Sequence, residues 1–122
     1  MLYSIESDAL ITDIPYRNKF DVYRGRLTDS QYAAICDELN RRIDEGGGEV
    51  ATAGWLPGAD WSGTVFDPIY EVACRHDFEE SGKFFGLIVW DVMMRREEDW
   101  ASGKFEKDGV PIQSRTYFRI NR

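Results

Sequence analysis

Residues 77–96 read DFEESGKFFGLIVWDVMMRR, and what this stretch becomes decides the fold. Asp77 can cap a helix N-terminus, Glu79 and Glu80 follow in its first turn, and Arg95 and Arg96 close it. Each of those charges complements the helix dipole. Between them, Phe85, Ile88, Val89 and Val92 make an apolar stripe at helical spacing. Phe84, Leu87, Trp90 and Met94 cover much of the remaining circumference. The run FFGLIVWDV is also rich in β-formers, and Gly82 and Gly86 weaken a helix, so a central strand is the competing reading. As a helix, the segment carries more apolar surface than one face of a small domain can cover. The expectation is a homodimer with Phe84, Leu87, Trp90 and Met94 near its interface; a helix wrapped by its own sheet and loops is the alternative.

Upstream, Asp67-Pro68 offers a cap followed by proline at the first helical position, opening a short helix, IYEVACR, that His76-Asp77 breaks. Further back lies a more regular helix. Thr28 can cap the segment that begins TDSQ, and Tyr32, Ile35, Leu39 and Ile43 follow at helical spacing until the triple glycine 46–48. The N-terminal part suggests strands: one around Ala9–Ile14, closed by Pro15, and one over residues 19–27, KFDVYRGRL, with PYRN turning between them.

At the other end, Asp108-Gly109 suits a hairpin turn. Its flanks place Ile112, Thr116, Phe118 and Ile120 toward the core and Arg115, Tyr117 and Arg119 outward. The fold class is therefore α+β: one domain over 1–122, with an antiparallel sheet of three to four strands packed against about three helices. The N-terminal strands and the C-terminal hairpin supply that sheet.

Composition narrows the function. The 122 residues carry a net charge of −7, with 22 acidic against 15 basic side chains. That balance argues against nucleic acid and anionic membranes, which need clustered Lys and Arg. No apolar run approaches the roughly 20 residues of a membrane span, and residues 1–15 lack the basic and apolar regions of a signal peptide. Two cysteines, Cys36 and Cys74, do not make a disulfide framework. A cytoplasmic protein with reduced thiols is expected.

Little in the chain suggests catalysis. Cys74 and His76, two apart on a helix, would point about 200° away from each other. His76, Asp77, Glu79 and Glu80 lack metal-ligand spacing, and GGGEVATAG lacks the lysine of a phosphate loop. Neither a catalytic residue, a metal site nor a cofactor is expected. Arg115, Arg119 and Arg122, with Arg24 and Arg26, could form a basic face; cross-strand pairing with Glu106, Asp108 or Asp21 accounts for them more simply.

The loop GWLPGADWSG, residues 54–63, is the remaining candidate. Its tryptophans could seal the open end of the core. Alternatively, Trp55 and Trp61, with Asp60 between them and Tyr70 and Trp100 nearby, could form an aromatic lip for a flat or cationic ligand. The leading expectation is a noncatalytic small-molecule or peptide-binding protein. The alternative is an acidic interaction or inhibitor module that docks on a protein partner through acids such as Asp37, Asp44 and Glu45.

Overall fold

The computed structural model describes residues 1–4, 9–45, 49–51, 63–103, 106–107, 110–111 and 116–120, and gives 49–51, 102–103, 106–107, 110–111, 116 and 118 by backbone alone. The chain is α+β. Segment 78–95 is a helix, α3 (Phe78–Arg95), and its start follows from the capping chemistry in the sequence: the Asp77 carboxylate accepts the backbone N–H of Glu80 at 3.0 Å. Phe84, Phe85, Ile88, Val89, Val92 and Met93 are all at most 3% exposed. Burial of each such side chain contributes about 1.5–3 kcal/mol relative to exposure, which outweighs the weak helix propensity of the β-formers and glycines.

Helix α2 (Asp29–Glu45) lies against α3. Its N-terminus is a reciprocal box: the Gln31 N–H donates to Thr28 Oγ1 at 3.1 Å, and the Thr28 N–H donates to Gln31 Oε1 at 2.9 Å. Two otherwise unpaired donors are satisfied at once. The anticipated stripe, Tyr32, Ile35, Leu39 and Ile43, is buried.

The segment expected as a strand at 19–27 is instead a helix, α1 (Arg17–Arg26). A strand would have buried Val22, which is 53% exposed, together with Phe20. The buried set is Phe20 and Leu27 with half-buried Tyr23, which is helical spacing. Arg17 also pairs with Asp21 at 3.1 Å, a contact four residues apart within α1 that a helix permits and a strand does not. Asp67-Pro68 does open a short helical segment, but Ile69–Ala73 is wound as a π-helix and no side chain caps it.

The main sheet has five strands in the order β2-β1-β4-β7-β3: β1 Leu2–Ser4, β2 Ala9–Ile11, β3 Glu49–Ala51, β4 Trp100–Gly103 and β7 Thr116–Arg119. β5 (Glu106–Lys107) and β6 (Val110–Pro111) form a separate two-stranded ribbon. Strands from both ends of the chain share one sheet, but it is mixed, since β1 and β4 run parallel. β2 ends at Ile11; Ile14 is buried from the loop beyond it. In register, Leu2 lies beside Trp100, and Tyr117 lies beside Ser102, two residues on from Trp100. Leu2, Trp100 and Tyr117 therefore share one face, and all three are at most 1% exposed. That reverses the outward placement expected for Tyr117. Ile112, Arg115 and the 108–109 turn lie outside the described residues.

Candidate functional site

The described residues hold a polar centre between α2 and α3. Asp91 interrupts the apolar run of α3 and is 5% exposed, so its charge must be compensated inside the protein. The Tyr32 hydroxyl donates to Asp91 Oδ2 at 2.5 Å, and Arg95 Nε donates to Asp91 Oδ1 at 3.1 Å. Burial, and then the bond to Asp91, push the Tyr32 hydroxyl far above its ordinary range, so it remains a donor. The Arg24 guanidinium covers the other side of the Tyr32 ring, 4.2 Å from its centroid. Cys36, one turn after Tyr32, has its thiol raised by burial and then by the Asp91 charge. It stays protonated in neutral water and is no ready nucleophile.

Cys36 and Arg95 of this centre also line an open cleft of about 400 Å³. Cys36 and Asn40 line it from α2, and Val92 and Arg95 line it from α3; Arg96, Glu97 and Glu98 complete the rim. Arg96 is fully engaged: it donates to Asn40 Oδ1 at 2.7 Å, to Asp44 Oδ1 at 2.5 Å and to both Glu98 oxygens at 3.0 and 3.2 Å. Arg96 has only donors, so the Asn40 atom facing it is the carbonyl oxygen. Among the described residues the Asn40 amide nitrogen, both terminal nitrogens of Arg95 and the Glu97 carboxylate have no partner. The Arg96 hydrogen bond lowers the pKa of Glu98, which also accepts the Trp100 indole N–H at 3.4 Å.

Trp55, Asp60 and Trp61 lie outside the described residues. Trp100 is 1% exposed and anchors the sheet, so it is a core side chain, not part of a lip. Tyr70 is half-buried in the π-helical turn, its ring 4.9 Å from that of exposed His76. Tyr70 and Trp100 therefore belong to different elements. The four side chains expected at an interface divide: Phe84 is fully buried and Trp90 9% exposed within this one chain, whereas Leu87 and Met94 are half-buried. Trp90 is tied inward, its indole N–H donating to the Asp13 carbonyl at 3.1 Å.

His76 pairs with Glu71 at 2.9 Å, and Arg75 and His76 both have positive φ where the chain turns from the π-helix into α3. Arg24 and Arg26 sit on α1, where they engage Asp29 and the Ala73 carbonyl, so they contribute to no basic sheet face. Both cysteines are free thiols. No group of three His, Cys, Asp or Glu among the described residues is placed to hold a metal ion. Sequence reasoning missed Cys36, Asn40, Arg95 and Glu97. The available signal was Asp91, a lone acid on an otherwise apolar helix, which implied buried polar partners. Comparison of the chain with family models, with curated proteins and with solved structures returns no match.

Proposed function

We propose that this chain is a noncatalytic small-molecule-binding domain whose ligand occupies the cleft between α2 and the C-terminal end of α3. The observation that carries the reading is the cleft itself. It has about 400 Å³ of open volume and unspent hydrogen-bonding groups set on two helices packed against each other. Ligand sites run from roughly 300 to 1,000 Å³ and combine apolar walls with a few placed polar groups. Val92 supplies such a wall, and Asn40 and Arg95 the polar groups. The protonated thiols support binding over nucleophilic chemistry.

An aromatic wall from Trp55 and Trp61 belongs to the same proposal and rests on the sequence of the 54–63 loop. A cytoplasmic setting fits the two free thiols and the lack of a described helix long and apolar enough to cross a membrane.

To test the reading, a set of small polar fragments is titrated into isotope-labelled protein. Saturable movement of the amide signals of Cys36, Asn40, Val92 and Arg95 is expected. A set that leaves all four in place ends the reading. Loss of fragment binding in Trp55→Ala or Trp61→Ala, with the fold intact, would extend the site to the loop.

Self-association is a second reading, and one observation favours it. Tyr16, the residue that precedes α1, and Val22 on α1 are each three positions from Lys19, which pairs with Glu80 of α3 near Phe78. Tyr16, Val22 and Phe78 are 77%, 53% and 67% exposed. A homodimer would cover this patch in place of the buried faces of α3. Sedimentation equilibrium tests it: a dimer that Phe78→Asp dissociates is expected, and a monomer at millimolar concentration sinks the idea.

A further inference from the structure

We propose that the cleft takes a small zwitterion, a molecule with a carboxylate at one end and an ammonium group at the other. The inference rests on the small-molecule reading and names its ligand class. Arg95 carries the first half. Its Nε is held by the buried Asp91 carboxylate, so the guanidinium is oriented through one edge while its two terminal nitrogens keep no partner among the described residues. A guanidinium presented in this way matches the two oxygens of a carboxylate. Tyr32 holds Asp91 from the opposite side, which makes Tyr32 and Asp91 positioning residues for that fork. The Asn40 amide nitrogen adds a neutral donor from the α2 side of the cleft, its orientation set by Arg96.

Glu97 carries the second half. It lines the same rim, is exposed, and pairs with neither Arg95 nor any other described cation. Its neighbour Arg96 is held by both Glu98 and Asp44. The cleft therefore offers one guanidinium edge with two free donors, on an Arg95 whose charge Asp91 balances, and one unpaired carboxylate, Glu97. A ligand bearing a single charge would satisfy only one of these two groups. An anion would in addition oppose the chain's net charge of −7. A zwitterion satisfies both groups, and its methylene spacer can lie against Val92.

The experiment titrates isotope-labelled protein with ω-amino acids from glycine to 6-aminohexanoate, and with the matching alkyl carboxylates and alkylamines. One ω-amino acid should saturate the signals of Asn40, Arg95 and Glu97 at least about tenfold more tightly than its carboxylate or amine counterpart, the strength of one charge-assisted bond. Glu97→Gln should reduce that amino acid to the affinity of the bare carboxylate. Arg95→Gln should reduce it to that of the amine. Arg95→Lys, which keeps a cation beside Asp91 but loses the fork, should weaken it several-fold with the melting temperature unchanged. Arg41→Gln, at a position that does not line the cleft, should leave that affinity unchanged. Equal binding of carboxylate and amino acid, or insensitivity to Glu97→Gln, overturns the proposal. Binding of neutral fragments alone also overturns it but preserves the small-molecule reading, whereas silence toward every probe and fragment ends both.

Discussion

Tyr32, Asp91 and Arg95 make the most consequential polar contact in the described chain, because one partner is a carboxylate removed from water. Tyr32→Phe would delete one of its two hydrogen bonds and leave the cleft otherwise intact. It should cost about 1–3 kcal/mol in chemical denaturation, the cost of an under-satisfied buried group. A change below a few tenths of a kcal/mol would mean that water replaces the hydroxyl. The thiols give a second residue-level prediction. Burial pushes Cys74 up to about 11 and raises Cys36 as well. Cys74 should resist alkylation at pH 8 until the protein unfolds, while half-buried Cys36 reacts slowly in the native state. Mass spectrometry of labelled peptides measures both.

Glu38 sets a pH dependence. Arg41 foremost, then Arg42, hold its carboxyl at about 2, below the ordinary 4.5. A lowered carboxylate pKa contributes stability that is complete above the unfolded value and is lost as pH falls through the folded one. The loss should therefore run from about pH 4.5 to about pH 2, and Glu38→Gln should flatten that part of a stability-versus-pH curve. An unchanged slope would mean that solvent screens the pairs.

The helices differ in what holds them, and so in what would break them. α3 depends on its cap and its burial. Asp77→Ala removes the acceptor for the Glu80 N–H and should cost about 1 kcal/mol. Gly86 works the other way. A Cβ built there meets nothing within 4 Å, so Gly86→Ala removes backbone entropy from the unfolded chain without a clash. It should stabilise by about 0.5–1 kcal/mol, read as a raised denaturation midpoint at unchanged slope. α1 is less apolar and depends on neighbours: Lys19 and Tyr23 both reach Glu80, and Arg26 donates to the Ala73 carbonyl. These contacts tie α1 to the start of α3 and to the π-helical turn.

For the molecule as a whole, the central fact is that most of the apolar surface of α3 is covered by the rest of the chain. α2 packs along it, α1 and the π-helical turn cover other parts, and one sheet face adds Leu2, Trp100 and Tyr117 to the same core. Most of its apolar surface is covered within the single chain, while Leu87 and Met94 stay half-buried and Phe78 exposed. Phe84→Ala should accordingly destabilise by about 3–5 kcal/mol as a cavity mutation. It should do so with no dependence on protein concentration, since Phe84 has no surface to offer a second copy. A concentration-dependent loss would return Phe84 to an interface.

Local pattern was enough for several elements. The start of α2, its buried stripe and the Asp77 cap are written in short-range spacing and side-chain chemistry, which act over one or two turns and need no partner. The α+β class followed from them. Partner-dependent features were not legible. KFDVYRGRL alternates well enough for a strand, and only packing against the π-helical turn and α3 selected the Phe20, Tyr23 and Leu27 face. Tyr117 points inward because β4 and β7 place it on the face of Trp100, a register set by long-range pairing. The cleft was hidden for the same reason. Cys36 and Asn40 are more than fifty residues from Val92 and Arg95, and no spacing rule spans that distance. The two helix faces acquire a shared wall only once the core between them has formed.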